Sequence, residues 1–128
     1  MKKRIAAVHE FHSAFGLGIN NEPNADLGEA KNLLRFNLMK EENEEYLEAA
    51  NSNDLVEVVD ALGDMLYILC GTIIEHGMQH KIEEVFDEIQ RSNMSKLGVD
   101  GKPIYREDGK VLKGPAYFKP EIAKILGQ

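Results

Sequence analysis

The chain has 128 residues, 43% of them hydrophobic, which suits one compact domain spanning residues 1–128 with a respectable core. Its formal charge of −7 hides an asymmetry. Residues 1–90 hold 7 Lys/Arg against 18 Asp/Glu, a net of −11, and residues 91–128 hold 8 against 4, a net of +4. An acidic body makes duplex nucleic acid a poor partner, since phosphate contacts need a basic face, and no apolar run approaches the roughly eighteen residues of a membrane span.

The opening "MKKRIAAVHEF" has the basic start of a signal peptide, but "IAAV" is too short an apolar stretch and His9 and Glu10 end it. A single cysteine, Cys70, leaves no internal disulfide and fits a reducing cytoplasm. It lies in "LYILCGTII", where it reads as a small buried hydrophobe.

Ile5, Val8, Phe11 and Phe15 follow a helical spacing and predict a first helix over about residues 3–15. "GLGINNEPNADLG" breaks it, and Asn24 or Asp26 is placed to cap a second helix running to about Ala50. Leu27, Ala30, Leu34 and Leu38 form its apolar stripe. "NSND" is a loop and cap signal, with Asp54 and Glu57 at capping-box spacing. A third helix, about 54–76, stops at Gly77, and a fourth, about 80–97, meets Gly98. Beyond it the tail, about 98–128, turns irregular and basic. Asp108-Gly109 marks a weak hairpin or an extended lariat, and Pro120 suits the first position of a short terminal helix. The expected fold is all-α, a four-helix bundle wrapped by an irregular basic C-terminal tail.

Five acids crowd residues 40–49, "KEENEEYLEA". The apolar stripe of the second helix continues by helical steps to Glu42 and Glu45, so the leucine face turns acidic without changing direction; Glu41 is adjacent, and Glu44 and Glu48 lie on the flank. The third helix is apolar around most of its girth, predicting burial, yet carries Glu57, Asp60 and Asp64 on one line. Carboxylates held on a dry strip must be protonated, paired or metal-bound. Lys31, Arg35 and Lys40 are too few to neutralise them, whereas a hard divalent cation suits oxygen ligands.

"EENEEYLEA" followed by "EVVDALGD" resembles the EExxE…ExxD signature of the all-α nucleoside triphosphate pyrophosphohydrolases, a superfamily including MazG-like enzymes, phosphoribosyl-ATP pyrophosphohydrolase and dimeric dUTPases. "FDEIQRSNMSKL" and "DGKPIYREDGKVLKGPAYFKP" look like the phosphoribosyl-ATP pyrophosphohydrolase-like branch, so the likeness covers most of the chain. The resemblance implies Mg²⁺-dependent cleavage of an α–β phosphoanhydride to a nucleoside monophosphate and pyrophosphate, with Mn²⁺ as an alternative cation. Glu42 and Glu45 match metal ligands, and Glu41 matches the acid that positions or deprotonates the attacking water. Glu57 and Asp60 satisfy ExxD literally, but aligning on "LGDMLY" places Asp64 at the signature's Asp and Ala61 where a Glu is often found. The metal set therefore stays Glu42, Glu45, Glu57, Asp60 and Asp64.

Lys96, Lys110 and Lys113 are the tail cations placed to reach a phosphate chain, and Asn93 is a candidate for a base or sugar, or else a helix-end residue beside Ser95. His12 is the expected substrate contact from the first helix, with His9 a surface residue. Tyr67 falls either beside the acids or in the core. A di-iron carboxylate protein would need Glu-x-x-His motifs, and none occurs. A non-enzymatic bundle whose acidic groove holds a basic protein is the other alternative. Relatives imply a homodimer or homotetramer.

Overall fold

A computed structural model describes all of residues 1–128. The chain is all-α: α1 (Lys2–Ala14), α2 (Glu29–Asn51), α3 (Leu55–Glu75), α4 (Ile82–Met94) and a short α5 (Ile122–Ile125). Its only β pairing is one isolated bridge, Tyr105 with Val111. The chain divides into two compact units, Met1–His80 and Lys81–Gln128. No helix is long and apolar enough to cross a membrane.

In the first unit α2 and α3 form an antiparallel hairpin, and α1 packs on α3. The hairpin turn needs one residue in the left-handed region, and Asn53 (φ 53°) supplies it. Asp54 caps α3 by accepting the Glu57 N–H at 3.1 Å, as its spacing predicted. The other half of a capping box is replaced, because the Asp54 N–H donates to the Ala49 carbonyl at 3.0 Å. At its far end α3 stops at Gly77 (φ 71°), where the Met78 N–H reaches back to the Ile73 carbonyl at 2.9 Å.

The start of α2 lies later than expected. The Asp26 carboxylate accepts from the Gly28 N–H at 2.8 Å and from the Asn32 amide at 2.9 Å. The Asn32 carbonyl in turn accepts the Leu27 N–H at 3.1 Å. These side-chain bonds hold Leu27 outside the helix, which begins only after Gly28.

Burial departs further from the pattern. The C-terminal half of α3 is interior, with Cys70, Ile73 and Ile74 in the core and burial pushing the Cys70 thiol up. The N-terminal half is open, and Leu55 is 75% exposed. On α2 the buried residues are Arg35 and Ala49, while Leu34 is 52% exposed. Within this unit only α1 and α2 lie against α3, and two neighbours cannot cover a helix that is apolar around most of its girth.

In the second unit α4 is shorter than the expected 80–97. The Ser95 hydroxyl donates to the Ser92 carbonyl at 2.5 Å and accepts the Phe118 N–H at 3.2 Å. Ser92 donates to the Phe118 carbonyl at 2.8 Å, so serines that end the helix also tie the tail to it. The tail turns at Asp108-Gly109 as read, closed by the Arg106 N–H on the Lys110 carbonyl at 2.8 Å. Pro120 precedes the last helix instead of opening it, since Glu121 is its N-cap and gives its N–H to Glu88 at 3.0 Å.

Candidate functional site

The α2–α3 hairpin sets a ladder of cross-helix partners. At its open end Lys31 and Arg35 reach the two oxygens of Glu75 at 3.2 and 3.1 Å. Arg35 also donates to the Thr72 hydroxyl at 3.0 Å and to the Ile68 carbonyl at 2.8 Å. Next, Met39 and Asn43 share a hollow with Met65. Then Glu42 faces Asp64 and Asp60. Nearest the turn, Glu45 and Glu48 share a hollow of about 340 Å³ with Asp54 and Glu57.

Glu42 is the electrostatic centre of this arrangement. One of its oxygens, Oε2, is buried and has no hydrogen-bond partner. Burial, a shared hydrogen bond with Glu45, and the negative charges of Glu45, Asp64 and Asp60 push its carboxyl up from 4.5 to about 7. The three neighbours are exposed. No three His, Cys, Asp or Glu side chains close into a ready cage; the acids are arrayed along facing turns of two helices. An all-oxygen donor set with mutual repulsion and one unmatched buried oxygen fits a hard divalent cation.

Of the three acids on α3, one stands apart from the other two. Asp60 and Asp64 act on Glu42, whereas Glu57 stands nearer the turn, in the hollow it shares with Glu45. Glu41 is exposed beside Glu42. Glu44 is also exposed and lies 3.9 Å from Lys40, a solvated pair as its flank position implied.

His12 lies elsewhere. Its side chain is buried, the residue only 2% exposed, and its Nδ1 hydrogen-bonds the Gly18 carbonyl at 2.8 Å. Its Nε2 and the Arg35 Nη2 press against Gly71, 2.7 and 2.8 Å from where a Cβ would stand. The ring therefore helps lock α1, α2 and α3 together and does not face a substrate surface. Arg35 and Glu75 are forty residues apart, and a glycine at position 71 within an apolar helix is the local sign in the sequence of a close approach there. Tyr67 takes neither expected place wholly: it is 42% exposed and meets Phe11 edge-to-face at 5.6 Å.

In the second unit Asn93 and Lys96 line one hollow of about 400 Å³ with Met94, Leu97, Pro103 and Val111. Lys110 and Lys113 are exposed and are not among its walls; the Lys113 ammonium stands 4.8 Å over the Tyr117 ring. Ser95 is the helix-ending residue of this stretch, through the bonds described above.

Residues 8–93 match the family profile of phosphoribosyl-ATP pyrophosphohydrolase. The chain belongs to the phosphoribosyl-ATP pyrophosphohydrolase family. That match spans α1 to α4 and includes every acid of the hairpin site. A protein from Exiguobacterium sp. 255-15, provisionally assigned as an NTP pyrophosphohydrolase, is similar in structure to this family member. Its TM-score is 0.51 at 27% identity, over 95% of this chain and 69% of that one. The uncharacterised protein L479 of Acanthamoeba polyphaga mimivirus is 40% identical over 68 residues, which is 51% of this chain. The matched stretch spans 27% of that relative's length.

Proposed function

We propose that this member of the phosphoribosyl-ATP pyrophosphohydrolase family is a Mg²⁺-dependent nucleotide pyrophosphohydrolase that cleaves the α–β phosphoanhydride. The observation that carries the reading is Glu42, a half-buried carboxylate with an unmatched oxygen, set against Glu45, Asp60 and Asp64. Family membership supports the reaction class.

Glu42, Glu45, Asp60 and Asp64 would hold the cation, with Glu57 contributing from the turn side through Glu45. Bound Mg²⁺ supplies charge relief on the phosphoryl oxygens and a more nucleophilic water, which Mn²⁺ would supply also. Glu42 must shed its proton to take part, which a neutral pH near its own value of about 7 allows. Exposed Glu41, adjacent to this set, accepts the proton of the attacking water. As the water oxygen bonds to phosphorus, the anhydride bond breaks and pyrophosphate leaves.

A homo-oligomer belongs to the same reading. Leu55, Val59, Leu62, Leu66 and Leu69 alternate steps of four and three along α3, the spacing of a coiled-coil seam, and all are exposed. The stripe lies across α3 from Glu57, Asp60 and Asp64, so pairing through it leaves the acids open. Incubating the purified protein with a panel of nucleoside triphosphates and Mg²⁺ tests the activity. Pyrophosphate release is expected from at least one of them; no release from any contradicts it.

A further inference from the structure

A nucleotide held by its phosphates must also place its base, and the hairpin carries a second hollow beside the acids. It measures about 450 Å³ and is lined by Phe36, Met39, Lys40, Asn43 and Met65. Phe36, Met39, Lys40 and Asn43 recur at i, i+3, i+4 and i+7, one face of α2. That face adjoins the acidic one: Asn43 follows Glu42, Met39 precedes Glu42 by three, and Met65 follows Asp64. The hollow therefore opens within about one helical turn of the two acids that face each other.

We infer that this hollow is the nucleobase pocket of the enzyme, with Phe36 as its stacking face and Asn43 as its specificity residue. The inference rests on the pyrophosphohydrolase reading. Phe36 is 62% exposed, and its ring meets no other aromatic ring of the chain. An open aromatic face next to a phosphate site offers a base the stacking that any nucleobase accepts. Met39 and Met65 are adaptable apolar walls. Asn43 is exposed and brings both a donor and an acceptor, which fits a base edge presenting the complementary pair side by side. The hollow's volume lies within the roughly 300–1,000 Å³ common for small-molecule sites. The hollow between α1 and α3, about 220 Å³ and lined by Arg4, Gly63 and Tyr67, falls below that range.

The test compares wild type with Phe36→Ala, Asn43→Ala and Asn43→Asp. It measures nucleoside monophosphate binding by calorimetry alongside turnover of the triphosphates. Phe36→Ala should weaken binding of every base, by roughly fivefold to a hundredfold from lost stacking. Asn43→Ala should weaken the preferred base selectively. Asn43→Asp, which trades donors for acceptors, should reorder the bases while turnover of the new best one persists.

Binding of all monophosphates within twofold of wild type in all three variants overturns the pocket, as does a wild type that binds none. Dissociation of an oligomer by Phe36→Ala, read by sedimentation, also overturns it, because the hollow is then a seam between copies. Base-dependent binding without turnover of any triphosphate supports the pocket and sinks only the hydrolase reading.

Discussion

The Arg35 guanidinium meets the Glu75 carboxylate at 3.1 Å with both side chains nearly sealed from solvent, and Lys31 holds the other Glu75 oxygen at 3.2 Å. This pair fastens the open end of the hairpin whose other end carries the acids. Removing one partner of a buried pair leaves the other charge uncompensated, at a cost of about 3–5 kcal/mol. Glu75→Ala should therefore lower stability by about that amount in urea unfolding, with Arg35 the stranded charge. A loss under about 1 kcal/mol would mean that the pair contributes little.

Two glycines of α3 should respond in opposite directions to the same substitution. At Gly71 an added Cβ would press on His12 and Arg35, so Gly71→Ala should cost about 1–3 kcal/mol through overpacking. At Gly63 a Cβ meets nothing within 4 Å, so Gly63→Ala should stabilise by about 0.5–1 kcal/mol through helix propensity alone. Matched urea titrations of the two variants check the contrast.

The pH dependence follows from Glu42. Its carboxyl is raised from an ordinary 4.5 to about 7, so the folded state binds this proton more tightly than the unfolded chain. The associated stability is present below about 4.5 and is lost as pH rises to about 7. In chelator, the melting temperature should fall across that window by more in wild type than in Glu42→Gln. Mg²⁺ should restore it at pH 8 but not at pH 5, where the proton competes for the same oxygens.

Placing a charge in the α3 seam should separate the copies. Leu62→Lys puts an ammonium at the middle of the exposed stripe, and sedimentation should show a smaller species than wild type. Identical sedimentation of the two would place any self-association elsewhere.

Much of this was legible in the chain, for local reasons. Gly77 and Asp108-Gly109 act through their own backbone, and Asp54 through a cap three residues away, so reading them needed no tertiary knowledge. Helical periodicity also grouped Glu42 with Glu45 on one face of α2, and Glu57, Asp60 and Asp64 on one line of α3. What periodicity could not supply was the identity of the covering surface. Leu34 and Leu55 sit on apolar stripes that the chain's own helices leave open. Arg35 reads as a partner for some acid of the hairpin, and which one, Glu75 forty residues later, is set only by the fold. His12 reads as a substrate contact until Gly71 makes room for its ring. The late start of α2 depended on Asp26 bonding forward to Gly28 and Asn32, a competition between side chain and helix that spacing alone does not resolve.

The most direct test of the central claim is product analysis by phosphorus NMR, with wild type, Glu42→Gln and Asp64→Ala incubated with the best nucleoside triphosphate and Mg²⁺. The account predicts nucleoside monophosphate and pyrophosphate from wild type and no turnover from either variant, with both variants still folded. Orthophosphate as the first product, or wild-type rates in both variants, would contradict it.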